Sequence, residues 1–154
     1  MTDSRAMNSA PSITRLADYE AFPFAIDSVD LTFELDPTHT RVTQVSRVRR
    51  IVRGTNALEL NGKDLKRIAL KIDGVEVQSD RLVEIDETLL VRQVPDEFVL
   101  EVVTEINPEA NTALEGLYLS NRMFCTQCEA EGFRRITYYP DRPDVMSVLT
   151  TRII

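Results

Sequence analysis

Residues 28–35 read SVDLTFEL, an alternation that puts Val29, Leu31, Phe33 and Leu35 on one side of an extended chain. A helix turns by about 100° per residue and scatters those positions, whereas a strand, with its period of two, lines them up. The pattern recurs along most of the chain and is cut at short intervals by residues that bend it. Asp36-Pro37 makes the first turn, since the aspartate accepts backbone N–H groups and the proline fixes φ. RVTQVSRVRRIV (41–52) returns as a long strand with Val42, Gln44, Ser46 and Val48 in phase and Val45 out of step, which predicts a bulge or a change of face. ALELNGKDL holds a short strand ending at Asn61-Gly62, and RIALKIDGVEV (67–77) reads as a hairpin about Asp73-Gly74, with Ile68, Leu70 and Ile72 alternating before it. Residues 81–94 and 97–106 add three strands broken at Asp86-Glu87 and Pro95-Asp96. A loop and a strand near Leu117–Leu119 follow, then a short helix within 128–135 and a terminal strand over 145–153. The expected fold is all-β, a sandwich or related set of strongly twisted sheets with at most a short helix.

Composition sets the outer limits. The 154 residues fit one domain, and neither an internal repeat nor a low-complexity tract divides them. A net charge of −7 argues against nucleic acid or an anionic membrane as partner, because phosphate binding needs a basic stripe. The acidity serves solubility and leans toward a basic ligand. No apolar run approaches the roughly 18–20 residues of a membrane span. The opening MTDSRAMNSAPS lacks the apolar core of a secretory signal, so residues 1–18 read as a disordered lead-in and 19–154 as the β-domain. Two cysteines are too few for a disulfide framework and suggest a reducing, cytoplasmic setting.

Chemistry is crowded into FCTQCEAEGFRRITYYPDRP, residues 124–143. Cys125-x-x-Cys128 has half the spacing of a structural zinc site, which needs four ligands, and the single histidine, His39, falls in a distant turn. A thioredoxin-like pair needs a βαβ context that this chain lacks, so the cysteines read as packing or pocket-lining residues. One turn histidine also leaves no nucleophile with a base beside it. Glu129 and Glu131 suit general acid–base work or plain solvation; on a strand they share a face and on a helix they point apart. Arg134, Arg135, Tyr138, Tyr139 and Arg142 form either a cation–aromatic binding surface or a brace for the loop. TYYPDRPDV, with its two prolines and two aspartates, reads as a rigid irregular corner.

On these residues the chain resembles a known family. LEGLYLSNRMFCTQCEAEGFRRITYYPDRPDV closely resembles the end of the N-terminal domain of bacterial aminopeptidase N, a zinc-dependent gluzincin. DYEAFPFAIDSVDLTFELDPTHTRVTQVSRVRR and ALELNGKDL resemble its opening and its next strand. The similarity runs from about Tyr19 to Ile153. It implies a saddle-like, all-β domain packed on a thermolysin-like catalytic domain, with peptide N-termini as substrate. It implies that Gln127 lines the pocket for the substrate's first side chain and that Glu129 binds the free α-amine. Cys125, Cys128 and Glu131 match the motif without an implied catalytic role.

The departures matter as much. Neither H-E-x-x-H nor the Gly-Ala-Met-Glu-Asn motif occurs in these residues. The expectation is a piece of a larger enzyme, with no catalytic residue and no zinc of its own, the zinc belonging to the catalytic domain. Such a piece is expected to be inactive alone and to self-associate through its interdomain face and the 145–154 edge. Two other classes stay open: a stand-alone β-sandwich interaction module, and a small redox protein with a reactive thiolate at Cys125 or Cys128.

Overall fold

The computed structural model describes residues 15–154, so most of the expected lead-in lies outside the described residues. Leu16–Asp18, at its end, form one exposed 3₁₀ turn. Eleven strands follow: β1 (Phe24–Glu34), β2 (Thr40–Arg50), β3 (Ala57–Asn61), β4 (Lys66–Ile72), β5 (Val75–Glu76), β6 (Leu82–Ile85), β7 (Thr88–Arg92), β8 (Glu97–Ile106), β9 (Gly116–Ser120), β10 (Met123–Gln127) and β11 (Val148–Ile153). They form a six-stranded sheet in the order β11-β1-β2-β8-β4-β5, a three-stranded sheet β3-β7-β6, and the hairpin β9–β10. The all-β expectation holds, and the helix expected within 128–135 is a single 3₁₀ turn at Phe133–Arg135.

Register explains the large sheet. Leu31 stands opposite Gln44 and Phe33 opposite Val42, while β2 meets β8 with Val42 opposite Thr104 and Gln44 opposite Val102. The inward row includes the buried polar residues Thr40, Gln44, Ser46 and Thr104, and two of them satisfy each other in part: Gln44 Nε2 donates to Ser46 Oγ at 2.9 Å. That bond lets β2 keep a strict alternation, with Val45 on the opposite face, so the bulge expected there does not form. The register slips instead in β1 between Ile26 and Ser28, where Asp27 is left over and accepts a bond from Arg49 at 3.0 Å. A second slip, between Arg67 and Ala69, throws Ile68 out to 38% exposure while Leu70 and Ile72 stay buried.

The Asp73-Gly74 hairpin turn forms where expected. β3 ends at Asn61 as expected but without a tight turn at Gly62, the chain bending instead at Lys63 and Asp64, where Asp64 takes a φ of 54°. Asp73 and Gly74 take φ values of 50° and 79°, the left-handed pair that a two-residue hairpin requires. β10 is a strand that the sequence pattern misses. Its turn is Asn121-Arg122, with φ values of 49° and 65° and no glycine to announce it.

Leu58 and Leu60 of β3, and Leu89 and Val91 of β7, are fully buried and join the inner faces of β1, β2, β4 and β8 in one hydrophobic cluster. Ile136 and both tyrosines enter the same cluster from the irregular segment after β10. Thr104, buried on β8, donates its hydroxyl to the Ile136 carbonyl at 2.9 Å and so ties that segment to the central strands. The terminal strand β11 pairs in parallel with β1 from Ser28–Val148 to Phe33–Ile153, leaving only its outer edge open. Among the described residues no helix is long and apolar enough to cross a membrane.

The Thr104 tie is open to a direct check. Thr104→Val keeps the shape and leaves the Ile136 carbonyl unsatisfied, which costs about 1–3 kcal/mol. The loss is expected as a lower urea midpoint with an unchanged m-value.

Candidate functional site

The β9–β10 hairpin and the turn that follows it carry the motif residues. Successive side chains of a strand point to opposite faces. Phe124, Thr126 and Cys128 share one face and line an apolar groove of about 580 Å³ with Leu31, Phe133 and Leu149. Cys125 and Gln127 therefore share the other face, and the C-x-x-C cysteines point apart. Both thiols are free. Burial pushes the Cys128 thiol up, the opposite of what a reactive thiolate needs. Cys125 donates weakly to the Met123 carbonyl at 3.7 Å.

Beyond Gln127 the chain reverses tightly, and Gly132 N donates to the Cys128 carbonyl at 2.9 Å. The Glu129–Ala130 peptide bond within this turn is cis. Gly132 packs backbone against backbone: a Cβ there would clash with the Gln127 carbonyl oxygen and lie 2.9 Å from Cys128 Cα. Gly116, at φ +69°, is equally confined, since a Cβ would come 2.7 Å from Arg135 Cβ. The two glycines let the turn nest on the first residue of β9.

The arginines and tyrosines brace this turn. Arg134 donates from Nε and from its backbone N–H to one oxygen of Asp141, each at 3.1 Å, and from a terminal nitrogen to the Asp141 carbonyl, also at 3.1 Å. It also approaches Glu131 at 3.4 Å. Arg135 bridges Glu115 at 2.9 Å and Asp64. Asp141 N–H donates to Asn61 Oδ1 at 3.0 Å, and Asn61 and Tyr139 exchange backbone bonds, which fastens the segment to the end of β3. Tyr139 meets Phe133 edge-on at 5.0 Å and shares a hydrogen bond with Ser147 at 2.6 Å. Arg142 grips Asp144 at 2.9 and 2.8 Å, and that guanidinium holds the Asp144 carboxyl down to about 2. Tyr19 donates to Asp144 at 2.9 Å, closing the segment onto the start of the domain. The alternative left open for these residues resolves in favour of the brace.

Against this background Glu129 is the exception. Of the charged residues from 127 to 144, Glu131, Arg134, Arg135, Asp141, Arg142 and Asp144 each have an ion-pair partner, and Glu129 has none among the described residues. It is exposed on a turn that is fixed on every side. Gln127, also exposed, donates from Nε2 to the Glu129 carbonyl at 3.3 Å, so the two side chains leave the same stretch of backbone. Glu131, by contrast, is committed to Arg134. His39 is remote, an exposed turn residue 3.6 Å from Glu105. Asp64, Glu115 and Asp141 escape sequence reasoning, because isolated acids in turns give no sign of which arginine they will meet.

A zinc ion does not fit these residues. No group of three or more His, Cys, Asp or Glu side chains among the described residues is disposed to hold a metal.

The fold recurs in known enzymes. Residues covering 91% of this chain superpose on Legionella pneumophila aminopeptidase A, solved with aspartic acid, with a TM-score of 0.82 and 25% identity over 17% of that chain. An M1 zinc metallopeptidase from Deinococcus radiodurans, solved with a Tyr-Ser-Ala substrate, shares the fold at a TM-score of 0.69 and 16% identity, over 85% of this chain and 32% of that one. The architecture is thus the all-β domain of M1 metallo-aminopeptidases. In sequence, the aminopeptidase N of Caulobacter vibrioides is 49% identical over 143 residues, 93% of this chain. That of Escherichia coli is 45% identical over 148 residues, 96% of this chain. The chain belongs to the aminopeptidase N family, and it matches the N-terminal part of these relatives. It spans 17% of the length of each of those two proteins. No family model matches it.

The glycine nest makes a sharp expectation. Gly132→Ala forces the turn off the Gln127 carbonyl and costs about 1–3 kcal/mol by overpacking. The drop in thermal or urea stability of the chain measures it, and an alanine substitution at the exposed, unpaired Glu129 serves as the comparison.

Proposed function

We propose that residues 19–154 are the substrate-facing N-terminal domain of a cytoplasmic, zinc-dependent aminopeptidase, in which Glu129 binds the α-ammonium of a peptide and Gln127 borders the pocket for its first side chain. The observation that carries this reading is the unpaired Glu129 carboxylate on a braced turn. A peptide α-amine has a pKa near ~8 and is mostly an ammonium at neutral pH. A carboxylate held in place recognises that charge and fixes which peptide bond lies in register for cleavage. An internal segment of a polypeptide has no ammonium to offer, so exopeptidase selectivity follows from the same contact. The brace has a purpose here, because a carboxylate that wanders by an ångström loses the register.

Zinc, in this reading, would be held by a catalytic domain outside these residues, where it would supply Lewis-acid chemistry. The residues described here contribute binding and orientation. The groove between β1, β11 and the hairpin, with exposed Leu149 and Ile153 along its rim, has the apolar character of a face that such a domain covers. Two free cysteines agree with a reducing compartment.

Two measurements test the reading. In the full-length enzyme Glu129→Gln removes the charge and keeps the shape. Losing one partner of a buried charge pair costs about 2–5 kcal/mol, a fall of roughly 30- to several-thousand-fold in kcat/KM. Wild-type efficiency for Glu129→Gln on aminoacyl-anilides would remove the amine-binding assignment. The isolated chain, with its groove and the outer edge of β11 uncovered, is expected to self-associate. A light-scattering mass that stays monomeric at high concentration would show that the groove is not an interdomain face.

A further inference from the structure

Gln127 is not alone on its face of the hairpin. In an antiparallel pair, residues directly opposite one another share a face, and β10 pairs with β9 through Gln127–Gly116, Cys125–Tyr118 and Met123–Ser120. The face opposite the apolar groove therefore carries Gln127, Cys125 and Tyr118 in succession. Gly116 contributes no side chain across from Gln127, and the space its Cβ would take is filled by Arg135. The hairpin side chains that flank Gln127 are thus Cys125, two residues back on the same strand, and Tyr118, on the diagonal. Both are only half-buried, and Tyr118 is the one aromatic residue on this face. The Cys125 thiol is turned toward the Met123 carbonyl, away from Gln127, which leaves Tyr118, diagonal to Gln127 in the pairing, as the large side chain of this hairpin face nearest it in register.

We propose that Tyr118, with Cys125 beside it, forms the far wall of the first side-chain pocket and sets its depth for long side chains. This rests on the assignment of Gln127 to that pocket. Length decides the argument. A diagonal neighbour on a sheet lies about 7–8 Å away, within reach of long side chains only. An alanyl side chain resting at Gln127 ends well short of Tyr118, whereas methionyl, phenylalanyl or arginyl side chains span the gap. The ring offers a thioether or an aromatic group an apolar contact, and offers a guanidinium its π-face. The braced turn sets where the α-ammonium is held, so the distance from that anchor to Tyr118 acts as a fixed ruler along the substrate. Tyr118 is a specificity-determining residue in this scheme and takes no part in bond breaking.

The test is a panel of alanyl-, methionyl-, phenylalanyl- and arginyl-anilides with the full-length zinc enzyme and its Tyr118→Ala and Tyr118→Phe variants. For Tyr118→Ala the ratio of kcat/KM for each long substrate to that for the alanyl substrate falls about tenfold, with the loss in KM. Tyr118→Phe keeps the ratio for all three long substrates, since the ring and not the hydroxyl makes the wall. An unaltered ratio, or an equal fall on all four substrates, overturns the proposal, the latter because it marks a structural role. Glu129→Gln in the same panel keeps the readings apart. The amine site fails if Glu129→Gln retains wild-type efficiency on all four, whereas the wall is judged only by the length dependence at Tyr118.

Discussion

The candidate site depends first on the ion pair between Arg134 and Asp141. Both side chains are largely withdrawn from water, at 13% and 12% exposure. Burying two charges costs several kcal/mol per ion after relaxation, and attraction alone does not always recover that cost. Here the guanidinium and the carboxylate bring further bonds: the Arg134 backbone N–H joins the same carboxylate oxygen, and a terminal arginine nitrogen reaches the Asp141 carbonyl. The Arg134 carbonyl accepts from Lys63 N–H, and Asp141 N–H donates to Asn61. The pair is thus a clasp between the turn after β10, the segment leading to β11, and the end of β3. Without it, the turn that presents Glu129 would be held chiefly by the glycine nest and by Arg135.

The large sheet is what makes so elaborate a clasp affordable. β1, β2 and β8 run ten or eleven residues each and bury one face, apolar along β1 and most of β8 and mixed along β2, where Thr40, Gln44 and Ser46 alternate with Val42 and Val48 in the buried row. Rigidity passes outward from them through a few defined bonds, of which the hydroxyl of Thr104 is the most central. Loops that carry function are commonly mounted on a rigid scaffold in this way. The result is a division of labour: strands supply stability, and the irregular stretch after β10 supplies chemistry.

Most of the strands were legible because each carries its own evidence. Val29, Leu31 and Phe33 announce β1 through alternation, and Asp73-Gly74 announces its hairpin through φ. The misses have equally local causes. β10 lies behind an Asn121-Arg122 turn without glycine, and the bulge at Asp27 leaves no mark in composition. Val45 looks like a fault in the pattern of β2, yet Gln44 and Ser46 hold the inward row in phase and Val45 lies on the opposite face. Within the site, the motif residues were found through resemblance, and their pairing was not. Arg135 meets Glu115 and Asp64 at separations of 20 and 71 residues, and no periodicity encodes such a meeting. That Glu129 stands apart as the unpaired acid became visible only once its neighbours had found partners.

The parallel pairing of β11 with β1 bears on how the chain acquires its shape. Antiparallel neighbours can zip from a turn, but β1 waits for a strand made almost at the end of the described chain before its second edge is filled. Tyr19 likewise waits for Asp144, 125 residues away. Contacts this distant in sequence carry a large loop-closure cost and slow folding. During synthesis, then, β1 and β2 emerge early with one flank bare, and the order in which the ribosome releases the strands decides how long that flank is exposed. Among the described residues, the last strand to be made is the one that shields the first.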